Sequence, residues 1–481
     1  MLITSVLLYL AVCIGIGLWA ARRVHNSKDY LVAGRSLPLY ISTATVFATW
    51  FGAETVLSVS AAFAKDGMGG VVADPFGSSF CLLFVALFFA RAFYRMDLLT
   101  IGDFYRKRYN KPVEVITSLA ITASYLGWTS AQLTALGLAF SVLSQGALTL
   151  NEGIVIGAAV VMGYTIWGGM WSVALTDMFQ SVVIVIGLLL IAWLVGDMAG
   201  GPAKVIAAAH EAGKFEFWPR GDAKEWLAFA AAWMTLAIGS IPQQDVFQRV
   251  TSAKDEKTAV RGTLLGGAIY FCFAFVPMFI AFAALMIDPR LAGLFAQEDA
   301  REIQRILPDL ILNQTPMWAQ VMFFGALLSA ILSTASGALL APTALFTENV
   351  LRPFQQHMSD RQFLLTLRVV LVSFTLAALL FALNSRSTMY EMVQNAYKVT
   401  LVGALVPLAT GVFWKRANVA GAIMSIVLGL ASWGAMEIWG GDSIWPPQIV
   451  GLGFAIVGML VGTLVTRPHV HAPGHPPGHA E

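Results

Sequence analysis

Two stretches, TWFGAET at residues 49–55 and IGSIPQQD at residues 238–245, decide how this chain folds. Each lies inside an apolar run long enough to span a bilayer, and each carries residues that a continuous helix resists. The first puts Gly52 and Glu54 in mid-span; the second stacks Gly239, Pro242, Gln243 and Gln244. Glycine is a poor helix former and proline lacks an amide hydrogen, so both stretches predict local unwinding. A simple kink would explain either one by itself. Unwound backbone at membrane depth survives only where protein buries it or it lines a cavity.

The chain around them has 481 residues, 57% hydrophobic and 12% charged. A soluble protein is about 25% charged. This composition predicts an all-α polytopic membrane protein embedded in a lipid bilayer. At about 20 apolar residues per span, thirteen spans emerge, near 2–20, 39–64, 71–94, 113–145, 152–168, 171–197, 225–247, 262–287, 317–347, 362–384, 388–413, 418–439 and 446–466. Their connections read as short. The basic residues Arg22, Arg23 and Lys28 follow the first run instead of preceding it, the reverse of a signal peptide, so that run is expected to be retained.

Positive charge tests the topology. With the N-terminus outside, twenty Lys and Arg residues fall inside, Arg249 among them, and nine outside, while Lys398 lies within a span. The expected location is a cell membrane (a bacterial inner membrane), with the C-terminus cytoplasmic. Residues 1–466 read as one transmembrane unit with its core at about 39–413. Residues 467–481, RPHVHAPGHPPGHAE, hold four of the seven histidines among Pro and Gly and read as a disordered tail.

The two interruptions lie in the second and seventh spans, five spans apart. Two five-helix halves, each led by a broken helix and the second inverted because five is odd, form the pattern of an inverted-repeat transporter.

A third stretch, ALLSAILSTASGALLAPTALFTENV at 326–350, carries Ser333, Thr334 and Ser336 through mid-membrane. A helix turns Ser333 and Thr334 about 100° apart, so they can flank one small object. Read alone, the pair fits helix packing as well as a bound cation. Cys13, Cys81 and Cys272 all fall in apolar spans and support neither a disulfide framework nor a zinc site. The chain offers no nucleophile motif or phosphate loop in a supporting context, so an enzyme is not expected. Nothing in it points to nucleic acid or to an obligatory protein partner.

ATWFGAET at 48–55, LTIGDFYRKRY at 99–109, IWGGMWSVALTDMFQ at 166–180, GSIPQQDVFQRV at 239–250 and SAILSTASGALLA at 329–341 stand in an order and spacing that resemble the sodium:solute symporter family. The resemblance runs from about Tyr30 to Trp414. It implies a LeuT-like core of 5+5 helices, with one extra helix before and two after, and sodium as the coupling ion. Carried over, the sodium ligands are the carbonyls of Ala53, Val56 and Ala330 and the hydroxyls of Ser333 and Thr334. Sodium is a hard cation that takes oxygen ligands, which suits that set. Some members hold a second sodium through an aspartate and later serines. Asp177 and Ser336 match that pattern, but Gly337 stands where such members have a hydroxyl.

The solute pocket is expected against the broken spans, lined by Trp50, Glu54, Thr55, Trp128, Thr129, Gln132, Gln243, Gln244, Asn395 and Tyr397. Aromatic walls with a few amides suit a small polar ligand. Glu54 can pair with a cationic solute, carry a proton or hold the broken helix together. Lys398 can snorkel, pair with Glu391 or meet an anionic solute. Some motifs resemble choline transporters of the family, although Gln243 stands where those carry a tryptophan. The expected function is sodium-coupled import of a small polar organic solute by alternating access. A solute sensor without net transport and proton-coupled uptake are the alternatives.

Overall fold

The computed structural model describes residues 2–166, 169–354 and 358–466; the expected tail at 467–481 lies outside them. Among the described residues the chain is helical throughout, with one isolated bridge between Leu37 and Ala253.

Among the described residues, nine helices are long and apolar enough to cross a membrane. They are Leu2–Ala21, Met68–Arg95, Lys111–Leu143, Gly169–Met198, Glu256–Ile287, Met317–Phe354, Asp360–Asn384, Val419–Trp439 and Pro447–Val465. Two bent pairs raise the number to eleven: Leu39–Trp50 with Glu54–Asp66, at 54°, and Met389–Gly403 with Leu405–Phe413, at 47°. The expected count of thirteen is not reached by length and composition. Of the other two expected spans, Leu150–Thr165 has only 16 residues, about 24 Å of helix against a core of about 30 Å. The other is Ala223–Ala237 followed, after a break, by Gln244–Thr251.

Both expected interruptions are real breaks, at 51–52 and 238–243. The bend at Ala404 is an additional one. Two connections are longer than expected and carry helices of their own, Pro202–Glu211 and Ile306–Gln314.

The two broken elements run antiparallel and are tied at both ends. On one side the Leu37 amide donates to the Ser252 carbonyl at 3.0 Å and the Lys254 amide to the Leu37 carbonyl at 2.9 Å. On the other, the Met68 and Gly69 amides donate to the Lys214 and Glu216 carbonyls at 2.8 and 3.1 Å. The start of the first element thus meets the end of the second, and the end of the first meets the approach to the second, as inverted halves require.

The serine- and threonine-bearing helix Met317–Phe354 is the most enclosed span, 94% buried in its apolar window against 28% for Leu2–Ala21 and Val419–Trp439. Leu7, Trp193 and Ile438 are instead exposed on the outside, as a lipid-facing surface requires. Hydroxyls on the enclosed helix must therefore find partners within the bundle.

Candidate functional site

The break after Trp50 decides which backbone groups are free. In an unbroken helix the Ala48 carbonyl would accept from the Gly52 amide, and the Thr49 carbonyl from the Ala53 amide. Instead the Gly52 amide donates to the Trp50 carbonyl at 3.1 Å, and the Ala53 amide to Gln132 Oε1 at 3.4 Å. Residue 52 has to be small: a Cβ there would lie 2.4 Å from Glu54 Oε2, because the carboxylate folds back over it.

The hydroxyl pair finds these two carbonyls. Ser333 Oγ donates to the Ala48 carbonyl at 2.9 Å and to its own helix at Ala330, 3.1 Å. Thr334 Oγ1 donates to the Thr49 carbonyl at 3.1 Å and the Ala48 carbonyl at 3.3 Å. All of these residues are buried. The result is a cluster of neutral oxygens from a helix end and a facing helix, a donor set that fits a hard monovalent cation.

The carbonyls that meet the hydroxyl pair are not the two expected from the sequence. Ala53 and Val56 do not meet the hydroxyl pair through their carbonyls: the Val56 carbonyl accepts from Ser60 Oγ at 2.5 Å, and the pair bonds to Ala48 and Thr49. A helix leaves its carbonyls orphaned at its C-terminal end. The free oxygens therefore precede the break, whereas residues 53 and 56 begin the next helix.

Beside the break, Glu54 accepts from Trp128 Nε1 at 3.1 Å and Gln132 Nε2 at 2.6 Å. Asp74, which the sequence reading missed, accepts from the Tyr270 hydroxyl and from Thr55 Oγ1, the latter at 3.2 Å. Trp50 meets Tyr270 edge-on at 6.5 Å between ring centres, and Trp128 lies 6.1 Å from Tyr397. Trp50, Glu54, Thr55, Trp128, Gln132 and Tyr397 are thus brought together, joined by Asp74 and Tyr270. Asp74 had a usable signal, since it is a carboxylate within an apolar span. Tyr270 had none.

The other expected residues do different work. Gln243 Nε2 donates to Ser124 Oγ at 3.0 Å and Thr400 Oγ1 at 3.2 Å, fastening the second break. Gln244 Oε1 caps the Ile101 amide at 2.7 Å. Thr129 Oγ1 ties its helix to the Ala338 carbonyl at 3.1 Å. Asn395 is exposed and faces away from the pocket residue Tyr397, because two residues are about 200° apart on a helix. Lys398 pairs with Glu437 at 3.2 Å, while Glu391 accepts from the Thr388 amide at 2.9 Å as a helix cap.

Asp177 accepts from Thr45 Oγ1 at 2.5 Å, and Ser336 Oγ donates to the Ser333 carbonyl at 2.9 Å. Arg249, counted from sequence as an inside charge, is instead only 2% exposed. Its Nε donates to Thr49 Oγ1 at 3.0 Å. It lies in electrostatic range of both Asp177 and Asp245. A Cβ added at Gly337 would come within 2.6 Å of Arg249 Nη2. The guanidinium therefore lies against the position where a second-site hydroxyl was expected and is missing.

Residues 30–429 match the family model described as the sodium:solute symporter family. The human high affinity choline transporter 1 is 26% identical over 463 residues, covering 92% of this chain and 77% of that protein. The sodium/glucose cotransporter of Vibrio parahaemolyticus is 24% identical over 459 residues, covering 87% and 82%. A Na+-coupled sialic acid symporter, solved in a substrate-bound outward-open state, superposes with a TM-score of 0.81 at 18% identity, over 97% of this chain and 98% of that one.

Proposed function

We propose that this multi-pass membrane protein, which belongs to the sodium:solute symporter family and couples sodium to the movement of a small solute, imports a polar organic solute by alternating access. Sodium is assigned to the carbonyls of Ala48 and Thr49 with the hydroxyls of Ser333 and Thr334, and Ala330 supports Ser333 from its own helix. The observation that carries this reading is the coincidence at the break: the hydroxyl pair contacts two of the carbonyls freed there.

The assignment has a mechanical consequence. The ion would join the end of a broken helix to the facing helix, so its binding and release would set how closely the two pack. That is the coupling a symporter needs. A membrane potential of about 100 mV contributes roughly 2.3 kcal/mol per charge moved, enough for one ion to drive accumulation. We assign a single sodium, because the Arg249 guanidinium already supplies positive charge beside Asp177 and Gly337. The chain is assigned to a cell membrane as one transporter unit over residues 1–466, N-terminus outside and C-terminus inside, which the charge bias supports.

Purified protein in liposomes, given an inward sodium gradient and a panel of labelled solutes, tests the reading. Sodium-dependent accumulation that collapses when the gradient is removed is expected. Binding of a solute with no accumulation at any sodium gradient would make the protein a sensor instead.

A further inference from the structure

A groove of about 610 Å³ opens on the outside of the bundle, within the roughly 300–1,000 Å³ of ligand sites. It is lined by Phe88 of Met68–Arg95, Ile238 and Ile241 of the second break, Val406 and Phe413 of Leu405–Phe413, and Ile456 of Pro447–Val465. Thr410 is the one polar side chain among its described lining residues, and its hydroxyl donates to the Val406 carbonyl at 2.7 Å. The groove therefore offers a polar solute no free partner. Phe88, Phe413 and Ile456 are all exposed, so it opens sideways, where the spans face lipid.

One end of the groove is basic. Val406 and Phe413 are two helical turns apart, and Phe413 is the last residue of its helix. Lys415 and Arg416 follow directly, both exposed. Arg91, exposed as well, lies one turn beyond Phe88. The Phe89 and Phe413 rings meet at 5.2 Å between centres, so Arg91 and the Lys415–Arg416 pair stand at the same end. Among the described residues, neither Lys415 nor Arg416 has a carboxylate oxygen within the 4.0 Å of an ion pair. Arg91 reaches Glu256 only at 3.9 Å, while Arg95 holds that carboxylate at 2.8 and 3.0 Å. A helix end presents carbonyls that repel an anion. Here Arg108 covers them, donating to the Gly411, Trp414 and Lys415 carbonyls at 2.9, 3.0 and 3.2 Å. The rim keeps a surplus of positive charge, on the side that the charge bias assigns to the inside.

We propose that the groove seats one anionic phospholipid of the inner leaflet, with an acyl chain along Phe88, Ile238, Ile241, Val406 and Ile456 and its phosphate at Lys415, Arg416 and Arg91. An apolar slot between helices under a basic rim is complementary to such a lipid. A zwitterionic headgroup would leave the charge of the rim uncompensated. A second copy of this chain, docked through the same face, would bring the same positive charge against it. The acyl chain lies between the second break and the segment after the Ala404 bend, so an occupied groove packs two bent elements together.

Native mass spectrometry of the full, delipidated chain in detergent, titrated with phosphatidylglycerol or phosphatidylcholine, tests the proposal. One phosphatidylglycerol per chain is expected, bound about tenfold or more tightly than phosphatidylcholine. Lys415→Ala with Arg416→Ala should remove that preference. Arg22→Ala with Arg361→Ala, exposed basic positions outside the elements that line the groove, should preserve it. Ile456→Trp, at an exposed position that tolerates bulk, should weaken retention of both lipids by filling the mouth. Equal binding of the two lipids would overturn the proposal, as would a preference that survives loss of Lys415 and Arg416 or that falls equally in the Arg22 and Arg361 control. Dimers that Ile456→Trp dissociates would overturn it too, by placing a second copy in the groove.

Discussion

The bundle holds two groups of buried acids, and they are treated in opposite ways. Asp177 and Asp245 share the field of Arg249, a cation built into the chain. Glu54 and Asp74 have only neutral donors around them. Arg249 lies in the field of the first pair without an ion-pair contact to either acid, and among the described residues Asp177 Oδ1 and Asp245 Oδ2 have no hydrogen-bond partner. The same residue type thus lies beside a fixed cation in one place and among neutral donors in another, and the difference lies in where a compensating charge can come from.

The largest effect should come from removing the fixed cation. Arg249→Met leaves Asp177 and Asp245 buried without the cation in whose field they lie and removes the Nε bond to Thr49 Oγ1, so its loss of stability should exceed that of the two variants below. Thermal denaturation in detergent should show a marked loss of folded protein; an unchanged midpoint would mean that the guanidinium does not balance these acids.

An intermediate effect is expected at Gly52→Ala. The added methyl would meet the Glu54 carboxylate at 2.4 Å, and such crowding costs about 1–3 kcal/mol. Solute affinity should fall because Glu54 must move, which a solute titration of uptake would read directly. Full affinity in this variant would show that the folded-back position of Glu54 is unimportant.

The smallest effect belongs to Lys398→Ala. Its partnership with Glu437 is partly exposed, and such pairs contribute about 1 kcal/mol or less. Uptake should be almost unchanged. A large loss would place a positive charge in the transport pathway and blur the contrast between the two acid groups.

Much of this could be read from the chain because its signals are local. Gly52 and Pro242 weaken a helix locally, and Ser333 and Thr334 must be satisfied wherever their helix is buried. The register of the carbonyls that meet the hydroxyl pair was harder. Ala53 and Val56 were expected, yet Ala48 and Thr49 carry the free carbonyls, because freedom depends on where the first half-helix stops. Side-chain direction was a second obstacle: Asn395 and Tyr397 cannot both face the pocket from one helix. Arg249 was hidden by its position, since a basic residue near the end of a span reads as a solvated charge until the packing around it is known. Tyr270 depends wholly on tertiary packing, and no local pattern marks its contact with Asp74.

Equilibrium binding of radiolabelled sodium to the purified protein tests the central claim without requiring the solute to be known. The account predicts one ion per chain, with affinity lowered at least tenfold, about 1.4 kcal/mol, in Ser333→Ala with Thr334→Ala, and retained in a folded Asp177→Asn variant. Two ions per chain, or unaltered affinity once both hydroxyls are removed, would contradict it.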